Sequence, residues 1–264
     1  MKRGIIGLGN MGRIVASVLV RYDEELLVAN RTQAKVEDFV THFGGQAASV
    51  DQVFQEADLI YLAVKPQQLL ALLKEYKDIL ASRAAFTLVS MAAGVTIAQM
   101  EELVGRDRGI IRMMPNTPMA VDEGVVTYVT NRALSEEART DFVASMVESA
   151  QLFWIEENQM DAATAIAGCG PAFVYQIVEA LADGGVLSGL PRALAQELAV
   201  QTLIGGAQMV GQTGLHPGQL KDQVCSPGGA TIAGVAMLER AGLRSGIMDA
   251  VLAAKEKSQE LAGK

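Results

Sequence analysis

Cysteine is nearly absent, with two residues in 264. That excludes a disulfide scaffold and fits a reducing, cytoplasmic compartment. Aromatic residues make up only 5% of a chain that is 50% hydrophobic, so the core must be aliphatic: Ala, Val, Ile, Leu and 12 Met. This composition excludes disorder. Positive charge is outnumbered, with 22 Lys and Arg against 30 Asp and Glu, a net −8. No basic block exists, which argues against a nucleic-acid partner. Only two histidines are present, His42 in a polar helical stretch and His216 in a turn. No Cys/His/carboxylate spacing suggests zinc, and no His pairs with a carboxylate as alcohol oxidation would require. Long uninterrupted apolar runs are also missing. The run Gly4–Gly9 is too short for a signal-peptide core. Residues 162–178 and 198–220 carry no Asp, Glu, Lys or Arg, yet the first is broken by Gly168-Cys169-Gly170-Pro171 and the second by glutamines, glycines and Pro217. Both read as helices buried in protein rather than membrane spans of about 20 apolar residues.

What is present divides into two parts. Residues 1–160 hold 36 of the 52 charged residues and residues 161–264 hold 16. In the first part, β-rich runs are expected at Lys2–Ile6, Leu26–Ala29, Leu59–Val64, Phe86–Met91, Ile110–Met113, Val125–Val129 and Leu152–Ile155. Helical patterns fall at Met11–Tyr22, Ala34–Phe43 and Pro66–Leu80. That alternation predicts an α/β fold with a parallel, doubly wound sheet. The second part reads as helices at Pro171–Leu187, Pro191–Val210, Thr231–Arg240 and Leu243–Ala262. Its small residues, among them Gly184, Gly185, Gly205 and Gly206, permit close helix packing. Two charge-free helices exceed what a unit of this size can bury alone, so a subunit interface is expected. The expected domains are 1–158 and 159–264.

Gly7-Leu8-Gly9-Asn10-Met11-Gly12 is a complete G-x-G-x-x-G between the first strand and the first helix, the context in which that motif binds a dinucleotide. Gly7 suits the tight turn, Gly9 lets backbone approach a pyrophosphate, and Gly12 lets helix pack on strand. Phosphates would meet the free N–H groups of the helix N-terminus. The second strand ends at Asn30-Arg31-Thr32, where a NAD site usually places a carboxylate for the ribose 2′-hydroxyl. A guanidinium can instead hold a 2′-phosphate, so NADPH is favoured over NADH. Ala63-Val64-Lys65-Pro66 and Met91-Ala92-Ala93 fall at further carboxyl strand ends. Lys65 either faces the cofactor or is solvated. Met113-Met114-Pro115-Asn116-Thr117-Pro118 forms a rigid loop in which either proline could be cis. In the second part, Cys225-Ser226-Pro227-Gly228-Gly229-Ala230-Thr231 precedes a helix and can cradle an anion on backbone N–H groups. Thr231 adds a hydroxyl that serves either a ligand or only as a helix N-cap. Cys169 and Cys225 are expected as small buried packing residues.

Together these segments resemble the Δ1-pyrroline-5-carboxylate reductase family. The resemblance is carried by Gly7–Gly12, Ala63–Pro66, Ala92-Ala93-Gly94-Val95-Thr96, Asn116-Thr117-Pro118, Gly168–Ala172 and Ala182–Val186. It is carried further by His216–Asp222 and Ser226–Thr231, and the segment Leu220–Glu239 looks like the family signature. It implies a Rossmann domain followed by an all-helical dimerisation domain, and NADPH-dependent reduction of the cyclic imine 1-pyrroline-5-carboxylate to L-proline. Hydride would pass from nicotinamide C4 to imine C5. The cofactor residues implied are Ile6 to Met11 with Gly12, Asn30, Arg31, Thr32, Ala63 to Pro66 and Met91 to Ala93. The substrate residues implied are Glu157, Gly228, Gly229, Ala230 and Thr231, with the carboxylate on the N–H groups of Gly229-Ala230-Thr231 and the Thr231 hydroxyl near the ring nitrogen. Cys169, Gln223 and Val50 depart from the usual Ser, Asn and polar residue. The missing acid/base pair fits this chemistry, because hydride addition to a protonated imine needs no further acid. The partners implied are this substrate and product and a second copy of the chain, at least a homodimer. Alternatives are a β-hydroxyacid dehydrogenase, which would want a Lys within Ala172–Val178, and a non-enzymatic dinucleotide-sensing protein.

Overall fold

The computed structural model describes residues 1–261; Ala262, the expected end of the last helix, lies outside the described residues. The first half alternates strand and helix: β1 (Arg3–Ile6), α1 (Asn10–Tyr22), β2 (Leu27–Ala29), α2 (Gln33–Phe43), β3 (Gln46–Ala47), α3 (Val50–Glu56) and β4 (Leu59–Leu62). There follow α4 (Pro66–Glu75), α5 (Lys77–Ser82), β5 (Thr87–Ser90), α6 (Ile97–Val104), β6 (Gly109–Pro115), β7 (Gly124–Thr130), α7 (Glu136–Ala144) and β8 (Ala150–Trp154). The strands form one sheet in the order β3-β2-β1-β4-β5-β6-β7-β8. Its first six strands are parallel, and the chain reverses direction across the sheet between β1 and β4. Ile6 lies opposite both Ala29 and Leu62, and Leu62 opposite Ser90, so these strands end level along one carboxyl edge. Open α/β sheets bind ligands at such a switch point.

The sheet departs from the all-parallel expectation at one place. β6 and β7 pair antiparallel, whereas β7 and β8 are again parallel. The connection Asn116–Glu123 is a single 3-10 turn, too short for the crossover of a dozen residues that a parallel pair needs. All peptide bonds among the described residues are trans, including those before Pro115 and Pro118. The expected helix Pro66–Leu80 is two helices. Tyr76 breaks it, its ring stacked on Phe54 at 4.7 Å and its hydroxyl donating to Asp51 at 2.7 Å.

Two apolar cores cover the two faces of the sheet. One gathers Val15, Leu19 and Phe39 of α1 and α2 with Tyr61, Val89, Ile111 and Phe142. The other gathers Val53, Phe54, Leu69, Leu73 and Met100 with Ile60, Leu62, Leu88 and Ile110. Strands covered on both faces read as continuous apolar runs, as Leu59-Ile60-Tyr61-Leu62 does.

The second half is helical: α8 (Met160–Ala163), a π-helical turn (Thr164–Gly168), α9 (Gly170–Leu187), α10 (Arg192–Thr213), α11 (Pro217–Gln223), α12 (Ala230–Arg240) and α13 (Leu243–Leu261). The chain divides into two compact units, residues 1–169 together with the segment from Ala254, and Gly170–Ala253. In the second unit α9 packs on α10 through Ala182, Ala195 and Ala199. A Cβ on Gly185 would lie 2.9 Å from that of Ala195, which explains the glycine; Gly184, Gly205 and Gly206 have no such neighbour among the described residues. By length and composition alone, the helical run Glu157–Leu187, which contains an 18-residue window of mean hydropathy 1.4, could cross a membrane.

Candidate active site

A cleft of about 440 Å³ opens at the carboxyl edge, lined by Gly9, Asn10, Met11, Gly12, Ala63, Val64, Lys65 and Met91. Every one of these is among the cofactor residues expected from sequence. The three loop glycines differ in what surrounds them. Gly7 has φ +110°, and a Cβ there would lie 2.5 Å from the Ala63 carbonyl oxygen. On Gly12 a Cβ would lie 2.1 Å from the Gly7 carbonyl oxygen. Gly9, the residue before α1, would meet nothing within 4 Å. The protein's own packing therefore demands glycine at 7 and 12, and leaves the space over Gly9 open toward the cleft. The first bond of α1 runs from Arg13 N to the Gly9 carbonyl at 2.8 Å. Helix geometry leaves the amides of Asn10, Met11 and Gly12 without partners inside the helix, beside the positive end of its dipole. A glycine floor with unpaired amides fits a pyrophosphate.

Asn30 braces this loop. Its Oδ1 accepts from the Leu8 amide at 3.0 Å and its Nδ2 donates to the Thr32 carbonyl at 3.2 Å. A carboxylate could accept from Leu8 but could not donate to Thr32, which accounts for the amide physically. Arg31 and Thr32 are exposed, and Arg31 makes no ion pair among the described residues. Ile6, Leu8 and Ala92, also expected at the cofactor, are buried and are not among the residues that line the cleft. Lys65 is exposed at the N-cap of α4, with Pro66 following as first helical residue, and Ala93 is half-buried. Val50 is half-buried against the second core.

Glu157 is tied into the first unit. Its Oε1 accepts from the Ile97 amide, at the start of α6, at 2.9 Å. The same oxygen accepts from Arg112 Nη1 at 3.0 Å. Arg112, on β6, is 1% exposed, and its Nε has no hydrogen-bond partner among the described residues. Sequence reasoning placed Arg112 inside a strand and gave it no role; an Arg in a run otherwise fit for a doubly covered strand was the signal.

In the second unit Gly228 has φ +68° and Gly229 is the N-cap of α12. The Gly229 amide donates to the Ser226 carbonyl at 3.0 Å, so the expected three-amide cradle is reduced to the amides of Ala230 and Thr231. Thr231 is the second helical residue and is exposed, so its hydroxyl is not the N-cap. Cys169 and Cys225 are unpaired and half-buried, more open than expected. Gln223 is exposed at the end of α11.

Residues 157–261 match the family model described as "Pyrroline-5-carboxylate reductase dimerisation", and residues 2–94 match "NADP oxidoreductase coenzyme F420-dependent". The pyrroline-5-carboxylate reductase of Glycine max is 41% identical over 98% of this chain and 95% of its own. The chain belongs to the pyrroline-5-carboxylate reductase family. The enzyme of that name from Escherichia coli is 38% identical, covering 98% of both chains. The crystal structure of Plasmodium falciparum pyrroline carboxylate reductase with NADP bound superposes with a TM-score of 0.88 at 34% identity, over 99% of this chain and 98% of that one. The family's fold, a Rossmann domain followed by a helical dimerisation domain, is therefore the fold of this chain. The dimerisation model starts at residue 157, close to the end of β8, whereas the second compact unit starts at Gly170.

Proposed function

We propose that this protein is an NADPH-dependent 1-pyrroline-5-carboxylate reductase that forms L-proline in a cytoplasmic, homodimeric or larger assembly. The observation that carries the reading is the cleft at the switch point, open over Gly9 and closed under Gly7 and Gly12. Gly9, Asn10, Met11 and Gly12 would hold the pyrophosphate on backbone N–H groups, with Asn30 fixing the loop. Arg31 and Thr32 would meet the 2′-phosphate, and Ala63 to Pro66 with Met91 to Ala93 would flank the nicotinamide end. When bound, NADPH supplies the hydride that adds to imine C5, while the electron pair of the C=N bond moves to nitrogen. The protein's part is placement, which alone can account for a large rate factor. Ala230 and Thr231 offer two amides at a helix N-terminus to the substrate carboxylate, and the exposed Thr231 hydroxyl is free to orient the ring nitrogen. Glu157 acts on the site through Ile97, by fixing the start of the helix that follows the Met91–Thr96 loop. Two unpaired cysteines support the cytoplasmic assignment.

An assay at 340 nm with pyrroline-5-carboxylate and either dinucleotide tests this. Oxidation of NADPH faster than NADH, with stoichiometric proline, is expected. Turnover of a β-hydroxyacid instead would favour the dehydrogenase alternative, and dinucleotide binding with no turnover would favour a sensing protein. Thr231→Ala should keep NADPH affinity and lower kcat/KM by about 10- to 100-fold, the scale of one hydrogen bond to a charged group.

A further inference from the structure

Asn116 follows β6 and is buried, with both ends of its amide in use. Its Oδ1 accepts from the Val125 amide at 2.8 Å, closing the β6–β7 hairpin. Its Nδ2 donates to the carbonyl of Ala167 at 2.9 Å, in the π-helical turn Thr164–Gly168. The sequence explains why that carbonyl needs an outside donor. In an α-helix the Ala167 oxygen would accept from the amide of residue 171. Residue 171 is Pro171, which has no N–H. The turn is instead closed by the Cys169 amide on the Thr164 carbonyl at 3.0 Å, and Thr164 Oγ1 donates to the Met160 carbonyl at 2.7 Å. Single π turns inside helices are frequent at functional sites.

The sheet register says where this turn is held. β6 is parallel to β5, and Arg112 lies opposite Ser90, the last residue of β5. β6 runs on through Met113, Met114 and Pro115, so Asn116 stands beyond the level at which β5 ends. Met91, immediately after β5, lines the cleft. The turn Asn116 anchors therefore lies along the same carboxyl edge, one strand past the cleft, with Cys169 half-buried at its end.

We propose that Asn116 is a positioning residue of the reductase: it holds the Ala167 carbonyl, and through it fixes the Thr164–Cys169 turn as the wall that limits where the imine ring sits. The inference rests on the reductase reading above. Asn116 acts through the turn and leaves the dinucleotide floor untouched. Asn116→Asp keeps the volume and the acceptor for Val125 but removes the donor to Ala167. It should lower kcat/KM for pyrroline-5-carboxylate by about tenfold or more, through a raised KM, with the Kd for NADPH within about twofold by fluorescence titration. Pro171→Ala leaves Asn116 intact but gives position 171 an amide that competes for the same carbonyl; it should lower kcat/KM in the same way, and it decides the matter if Asn116→Asp does not fold. A folded Asn116→Asp enzyme with a lowered Tm but wild-type kcat/KM overturns the proposal, as does wild-type kcat/KM in Pro171→Ala. Absence of pyrroline-5-carboxylate turnover in the wild-type enzyme overturns the reductase reading itself and this inference with it.

Discussion

A single methyl group separates the roles of Gly9 and Gly12. At Gly12 it would press on the Gly7 carbonyl at 2.1 Å, a clash with backbone that nothing nearby can relieve. Gly12→Ala should therefore destabilise the fold by about 1–3 kcal/mol, the range for overpacking, measured by denaturant unfolding without ligand. At Gly9 the methyl meets nothing, so Gly9→Ala should unfold at the wild-type midpoint yet bind NADPH poorly. Equal loss of stability in both variants would show that the space over Gly9 is not reserved for a ligand. Arg31→Ala should weaken NADPH by about 1–3 kcal/mol and leave NADH unchanged, as expected for one charge-assisted contact to the 2′-phosphate. If both cofactors weaken alike, Arg31 does not read that phosphate. The glycines at 7 and 12 were legible because a tight strand–turn–helix passage demands them at that spacing, whereas Arg31 was legible only as a cation at the end of β2. Asn30 was legible only as an absent carboxylate. Its two bonds to Leu8 and Thr32 depend on the folded distance between β2 and the loop, which no spacing rule encodes.

At the scale of elements, what sequence reasoning overlooked was mostly short and capped. α6 begins with a capping box, Thr96 accepting from the Gln99 amide while Gln99 reaches back to the Thr96 amide, a signal visible as Thr-x-x-Gln. α3 and α7 likewise begin at Ser49 and Ser135, whose hydroxyls accept from the third residue on. The break at Tyr76 was not legible, because it needs Phe54 and Asp51 in place. Glu157 joins two elements by serving Arg112 on β6 and the first amide of α6 with one oxygen. Removing it strands a buried guanidinium; because the Glu157 side chain is 35% exposed, the cost should fall below the usual 3–5 kcal/mol, at about 2 kcal/mol. Glu157→Ala with Arg112→Met should recover part of that loss, and a double variant no more stable than Glu157→Ala alone would show that the pair is not coupled. The β6–β7 turn is pinned to α1 by Asp122, which accepts from Arg21 at 2.7 Å and from Ser149 at 2.9 Å. Those two donors, Arg21 first, hold the Asp122 carboxyl below the ordinary carboxylate range. A lowered folded value means the contribution is present above the unfolded value and lost as pH falls through the folded one. Asp122→Asn, which tolerates the φ of +60°, should therefore lower stability slightly at neutral pH, leave it unchanged at acid pH, and so flatten the acid limb of the profile. An unchanged acid limb would assign that pH dependence to other carboxylates.

At the scale of the whole molecule, the two units are stabilised very differently. The first buries two large aliphatic clusters against a sheet. The fully buried hydrophobic side chains of the second are Ala182, Ala195 and Ala199. A buried Leu or Ile contributes about 1.5–3 kcal/mol and an alanine far less, so this unit within one chain lacks the core to offset ordering its helices. Its large apolar side chains lie outside instead: Leu187 is 89% exposed, Leu198 50%, Met209 51% and Leu252 55%. That pattern was legible in the charge-free run 198–220, since a helix apolar all round must be buried by something. Which helices interlock was not legible, because the 22-residue α10 has no single apolar face to point with. The dimerisation model that matches residues 157–261 names the surface that covers them, a second copy of the chain. Stability should then be inseparable from concentration. Tm should rise as protein concentration rises, because the folded helical unit exists only in the assembly. Leu198→Glu places a charge on the exposed apolar surface of α10 and should shift sedimentation from dimer or larger toward monomer. The same variant should lose far-UV helical signal and reductase activity together, while still binding NADPH through the intact first unit. A Leu198→Glu monomer that keeps full helicity and full turnover would mean the helical unit folds unaided and the subunit interface lies elsewhere.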